Sequence, residues 1–444
     1  MSHSKDKSTN QLAWWQLALT GVGCTIGTGY FLGSSIGISL TGPSIVFAFL
    51  LAAIGTYIVF HLLAKMTAAD PQESSFCYYA EKAYGKWAGF SCGWNYWCSS
   101  ILIMGSQLIA LSILTKEWFS DVPLWVFASV YAVLSIAVIL LGTRGFDRIE
   151  DFLAIIKTAA ILMFIIIAIV AISGGLSGGP ASSPGIPASI DKLFTGNYRG
   201  FWASLIYAFY AFGGIEVIGL MAIRLKKKEE APKAGLVMLS LLTIIYLISL
   251  GLTVTMVSVD QFNPNESPFV TALSDYSLSI FPHLFNGAII IAGFSTMTAA
   301  LFGVVTLLVS LSKDGDAPKM FSKKIKKFKD LPLPSLLLAT IGLSASIITA
   351  LLLPEKIYEY ITTAAGILLL YNWAFIIISS LRVLDGIKFM NKIIAILGLV
   401  LLFSAVSGTL MEKSIRPGFW VSLCIIAIIG LVTIKFGRKK TNQT

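Results

Sequence analysis

The run Gly23-Cys24-Thr25-Ile26-Gly27-Thr28-Gly29 sets three glycines and two threonine hydroxyls in the middle of an apolar segment, Gln11 to Leu40. Each glycine weakens a helix by about 1 kcal/mol. At bilayer depth, freed N–H and C=O groups survive only where protein buries them or a wet cavity reaches them. A break of this kind beside small hydroxyls can build a midplane site for a small zwitterion. It can equally be a glycine face that lets another helix approach closely, and this segment alone does not choose. Two charges add weight. Lys157 falls about two turns into a later apolar segment, where an ammonium is expensive to bury and marks a functional site unless it snorkels to the interface. Glu216 follows the pair Gly213-Gly214 inside the apolar run Tyr207 to Gly219, so a second break lies beside an acid.

The elements that must position these residues are membrane helices. Of 444 residues, 56% are hydrophobic and 13% charged, against roughly 25% charged in a soluble domain, and the mean hydropathy is +0.80. The apolar runs are long and continuous, not alternating, which indicates helices in place of a barrel. No cleavable leader is recognisable at the start. Twelve spans are expected, near residues 12–40, 43–66, 88–115, 122–142, 150–173, 199–224, 233–257, 284–312, 333–353, 357–381, 391–410 and 417–436. All but seven of the 33 Lys and Arg then fall on the side of the termini. Lys116, Lys192, Arg199, Lys356, Lys413 and Arg416 lie opposite, and Lys157 is inside a span. This asymmetry puts both termini in the cytoplasm. The net charge of +10 therefore reflects orientation. The basic run Lys323, Lys324, Lys326, Lys327, Lys329 meets anionic lipid, and no nucleic-acid partner is expected.

The first and sixth spans stand five apart and run in opposite directions. Two interrupted helices at matching places in two five-span units point to an inverted repeat with a shared site. On the third span, Ser100, Ile101, Met104 and Gln107 share a face, and Trp94, Tyr96 and Trp97 near its inner end read as interfacial aromatics. The eighth span carries Ser295, Thr296, Thr298 and Thr306; hydroxyls in such helices mostly bond to their own backbone, which leaves one or two for a site. Cys24, Cys77, Cys92, Cys98 and Cys424 lack metal-ligand spacing, and no disulfide is expected on the cytoplasmic side. His3, His61 and His283 add no metal site. No cofactor is implied, and the absence of a nucleophile–base pair or phosphate loop argues against an enzyme.

Gly23 to Phe31 resembles the broken first helix of the amino acid–polyamine–organocation superfamily, closest to bacterial twelve-helix amino acid permeases. Further stretches fit that family: Pro71–Tyr79 with Gly85–Phe90, Ala211–Glu216, Leu311–Pro318, and Tyr371-Asn372-Trp373 through Arg382. The resemblance implies an all-α integral membrane protein with a LeuT-like inverted repeat of five plus five helices, helices 1 and 6 discontinuous, and two C-terminal helices. Its parts are a cytoplasmic tail 1–11, a first repeat 12–173, an extracellular loop 174–198, a second repeat 199–381, and a closing pair with tail, 382–444. It implies that amides of Gly27, Thr28 and Gly29 hold a substrate carboxylate and that carbonyls of Thr25, Tyr210 and Gly213 hold its amine. Tyr210 matches the aromatic that closes over substrate, and Glu216 an acid used in gating or proton response. Lys157 matches a lysine that takes the place of a sodium ion in proton-coupled relatives, with the Thr296 hydroxyl beside it. Ile101, Met104, Tyr210 and Ala300 would meet the substrate side chain.

Two departures stand out. Lys65 replaces a glutamate common in these permeases, and Thr306 replaces an arginine common in the nearest bacterial group. The expectation is a proton-coupled permease of the cell membrane carrying a neutral or hydrophobic amino acid by alternating access, its partners being the amino acid, the proton and the lipid bilayer. Uncharged contacts favour a neutral substrate, since a buried substrate charge would need a partner. An exchanger, a cationic amino acid permease, a sodium symporter and a transport-inactive nutrient sensor stay open as alternatives.

Overall fold

The weak point of the first segment is where its helix stops. The computed structural model describes residues 12–441 except 73, 181–183, 188, 196, 217–224, 279, 326–330, 353–356 and 385–388. The expected tail 1–11, the inner part of the sixth span, Lys356 and Lys326, Lys327 and Lys329 lie outside them. The first segment forms α1 (Trp14–Thr25), an extended step through Ile26 and Gly27, then α2 (Thr28–Phe31) and α3 (Gly33–Thr41). After a corner at Gly42 come α4 (Ile45–Ala69), the short α5 (Phe76–Tyr84), α6 (Lys86–Lys116), α7 (Leu124–Leu140) and α8 (Thr143–Ile172). The later chain supplies α9 (Ile190–Leu193), α10 (Asn197–Tyr210), α11 (Ala231–Met256), α12 (Pro268–Thr271) and α13 (Phe281–Lys313). It closes with α14 (Leu333–Leu352), α15 (Ile357–Val383), α16 (Phe389–Gly408) and α17 (Arg416–Thr441). Among the described residues, eight stretches are long and apolar enough to cross a bilayer. The shorter apolar helices Leu124–Leu140 and Leu333–Thr349 stand beside them. No named strand occurs among the described residues.

The two interrupted segments run past each other in opposite directions. At one end the Lys226 amide donates to the Leu12 carbonyl at 3.0 Å, which joins the start of the first segment to the chain just after the sixth. At the other end, α3 finishes against the start of α10: a Cβ at Gly200 would stand 1.9 Å from the Leu40 carbonyl oxygen, so only glycine allows that approach.

The helix α8 shows why Lys157 is not at the surface. Phe152, Ile155, Ile166 and Ile169 are exposed on one face, where a membrane protein meets lipid. Ala160, Ile161, Phe164 and Ala168 are buried on the other, and Lys157 lies with them at 0% exposure. Helical spacing thus turns the amine into the bundle, against α1 and α13.

The short helix α5 is strapped down by ion pairs and a hydrogen bond at its ends. Lys82 pairs with Asp70 at 2.8 Å, and Lys86 with Asp316 at 3.2 Å and Glu81 at 3.4 Å. Ser74 donates to Asp314 at 2.7 Å. Gly85, at φ +88°, turns the chain from α5 into α6, a backbone region that costs a side chain but not glycine.

Candidate functional site

The site is where the two breaks touch. Ile26 and Gly27 are extended (φ −69° and −157°), and no side chain caps the start of α2. Its first amides therefore point out of the break with the positive end of the helix dipole, a setting that suits a carboxylate. On the other segment α10 ends at Tyr210. Ala211 to Ile215 form turns, and Gly214 has φ +106°. A Cβ there would lie 3.3 Å from the Cys24 carbonyl oxygen and 3.6 Å from Thr25 Cα and Oγ1. Gly214 is thus required twice over, by its positive φ and by the approach of the first break.

Tyr210 lies over the first break. A Cβ at Gly29 would meet its ring at 2.8 Å, and its hydroxyl bonds to the Ser106 hydroxyl at 2.7 Å. The Tyr210 carbonyl accepts from the Gly213 amide at 2.9 Å, and a carbonyl keeps a second lone pair for another donor. The Thr25 hydroxyl turns back to the Gly21 carbonyl at 2.9 Å, as helix hydroxyls commonly do. Thr28 is fully buried, its carbonyl accepting from the Tyr358 hydroxyl at 3.3 Å.

Thr296 closes the break from α13. A Cβ at Gly27 would be 2.6 Å from its Oγ1. That hydroxyl donates to carbonyls of its own helix, at Gly293 (3.0 Å) and Ala292 (3.2 Å), and accepts from Gln107 Nε2 at 3.2 Å. The hydroxyl beside Lys157 is instead Ser295: Lys157 Nζ donates to Ser295 Oγ at 2.7 Å. The expected neighbour, Thr296, is displaced by one residue because successive helix positions point about 100° apart. Lys157 takes the first, Gln107 and Gly27 the second.

Glu216 is 2% exposed and enclosed by donors from three places. The Tyr96 hydroxyl donates to Oε1 at 3.1 Å, while Trp373 Nε1 and the Gly214 amide donate to Oε2 at 3.3 and 3.2 Å. These bonds tie the second break to α6 and α15. Tyr96 is therefore no interfacial aromatic; it is buried, with the Phe76 ring of α5 at 4.9 Å.

Ile101, Met104 and Ala300 form a different neighbourhood. They belong to an apolar cluster with Leu108, Met297 and Leu301, and Ile101 packs against Gly342 of α14. The structure thus brings together Thr25, Gly27, Thr28, Gly29, Tyr210, Gly213, Thr296 and Glu216, with the Lys157–Ser295 pair on the adjoining face of α13. Ser106 and Tyr358 were not singled out from sequence.

A family model for amino acid permeases matches residues 16–438. The chain belongs to the amino acid permease family. Permeases of this family are multi-pass membrane transporters of the amino acid–polyamine–organocation superfamily, not enzymes. The permease is 54% identical to an uncharacterized Bacillus subtilis transporter, YcgH, over 99% of this chain and 98% of the relative. It is 29% identical to the aromatic amino acid transport protein AroP of Corynebacterium glutamicum, over 96% of this chain and 97% of that one. It is also 29% identical to a probable threonine/serine transporter of Bacillus subtilis, YbxG, over 82% of this chain and 79% of the relative.

Proposed function

We propose that this permease carries a neutral amino acid across the cell membrane by alternating access, coupled to protons. The observation that carries the reading is the meeting of two oppositely directed broken segments, with Gly214 against Cys24 and Thr25. Uncapped amides at Gly27, Thr28 and Gly29 would take the substrate carboxylate, and carbonyls of Thr25, Tyr210 and Gly213 its ammonium. Tyr210 covers the break, its hydroxyl bonded to the uncharged Ser106. Relatives named for aromatic amino acids and for threonine/serine support a neutral cargo.

The arrangement behind this reading has twelve spans: a first repeat 12–173, a second 199–381 joined by the outer loop 174–198, and a closing pair. Both termini lie on the cytoplasmic side, where the basic residues collect. Lys157 gains and loses its proton as the site changes sides. When charged it braces α8 to α13 through Ser295, close to the first break. Glu216 holds the second break to α6 and α15 and acts as a gate.

The test is competition uptake in proteoliposomes. A labelled neutral amino acid is challenged by all twenty, with an imposed proton gradient. Inhibition by neutral competitors, lost when the gradient is collapsed, is the expected result. Competition by lysine and arginine would overturn the neutral reading, and uptake indifferent to the gradient would overturn the coupling.

A further inference from the structure

Around the first break two buried polar side chains are incompletely bonded. Gln107 is 7% exposed, and its orientation is set by its neighbour. The single proton of Thr296 Oγ1 goes to the Ala292 and Gly293 carbonyls. Toward Gln107 that oxygen can only accept, so the amide end facing it is Nε2. Oε1 is thereby turned to the other side of the same planar group. It is buried and finds no protein donor. Thr28 Oγ1, in the break itself, is likewise buried without a partner, while its methyl lies where a Cβ of Gly293 would be, at 2.4 Å. Thr296, Gly293, Thr28 and Gly27 thus form one contiguous patch, and Gln107 touches it through Thr296. The hydroxyls of Ser106 and Tyr210 lie beside the same break, over Gly29.

Buried polar groups are normally satisfied. A buried acceptor close to the break, with one N–H of its own amide already given to Thr296, is what a site needs to recognise a donor on its cargo. A site built to bond a substrate hydroxyl or N–H rejects an isostere that lacks it, whereas an apolar wall cannot reject one that has it.

We infer that Gln107 selects the substrate side chain, its Oε1 accepting a hydrogen bond from a hydroxyl or amide N–H. The preferred cargo is a small polar neutral amino acid, not an aliphatic one. Thr28 adds a second polar contact, which accepts from or donates to the same group. The inference rests on the neutral amino acid reading above and narrows it.

Threonine and valine make the test sharp, because they differ only by hydroxyl against methyl. Uptake of each by proteoliposomes is measured for wild type and for Gln107→Leu. One hydrogen bond is worth about tenfold in affinity. Wild type is expected to show a KM for threonine about tenfold below that for valine. Gln107→Leu should bring the two within about twofold by raising the threonine KM while valine uptake persists. A merely structural lesion would move both substrates together and would overturn the role. Should Gln107→Leu transport neither, stabilisation of the detergent-purified wild type against heating, by threonine and by valine, decides the matter. Threonine must stabilise at the lower concentration, and equal effects overturn the inference. Wild-type uptake of neutral amino acids that ignores the hydroxyl overturns this inference alone. Wild type that takes up no neutral amino acid overturns it together with the proposed function.

Discussion

Replacing Gly27 by alanine tests the junction between the first break and α13. The backbone there is extended, at φ −157°, which any residue adopts, so the whole cost is contact. The new Cβ would stand 2.6 Å from Thr296 Oγ1, 3.0 Å from Cγ2 and 3.1 Å from Cβ. Turning the Thr296 side chain gives little relief, because it breaks the bonds to Ala292, Gly293 and Gln107 and still leaves Thr296 Cβ 3.1 Å from the new methyl. The break must draw back from α13. Overpacking of this kind costs about 1–3 kcal/mol, which corresponds to roughly five- to 150-fold in any step that presses the two together. Uptake of labelled threonine should fall by that factor in Gly27→Ala. The double variant Gly27→Ala/Thr296→Ala removes two of the three short contacts and should regain most of the loss, measured against Thr296→Ala alone. Wild-type uptake by Gly27→Ala, or a double variant no better than the single, would refute the reasoning.

Three other outcomes are expected. Lys157→Met should leave uptake indifferent to an imposed proton gradient and to protonophores, because the only amine at that depth of α8 is gone; retained gradient dependence would remove Lys157 from coupling. Trp373→Phe leaves Glu216 Oε2 with one donor fewer in a buried setting and should cost about 1–3 kcal/mol of stability, read as earlier thermal unfolding in detergent. At α5, Lys82 above all, then Gln72, holds the Asp70 carboxyl below the usual carboxylate range. The contribution of such a depressed acid is complete above its ordinary value of about 3.9 and is lost as pH falls through the lower folded value. Protection of the loop before α5 from limited proteolysis should therefore be flat from about pH 5 to 8 in wild type. Lys82→Met should be cut faster at neutral pH, and a wild-type change within that window would contradict the assignment.

Both breaks were legible as glycine clusters inside apolar runs, because glycine is the residue that a helix in lipid can least easily hide. The burial of Lys157 was legible too, from its depth in an apolar segment. What the sequence left open was direction within a turn. Ser295 and Thr296 are adjacent and chemically alike, and only the rotation of α13 assigns one to Lys157 and the other to Gly27. Tyr96 read as an interfacial aromatic because its place near a helix end is also where such residues sit in bulk; its bond to Glu216 depends on a residue 120 positions away. Ser106 gave no signal, since a hydroxyl in a membrane helix usually bonds its own backbone, and Ser106 does that as well, to the Ile103 carbonyl at 2.9 Å. Gln107 was placed on a face with Ile101 and Met104, and its contact with Thr296 depends on the rotation of α13.

The joint between Leu12 and Lys226 has a consequence for genetics. It is a backbone bond, from the Lys226 amide to the Leu12 carbonyl, so it is written in no side chain. Residues at either position can drift freely while the two half-helices keep sharing one handle. A saturation library across this end would find most substitutions silent. Proline at position 226 alone should stand out, because it deletes the N–H on which the joint hangs.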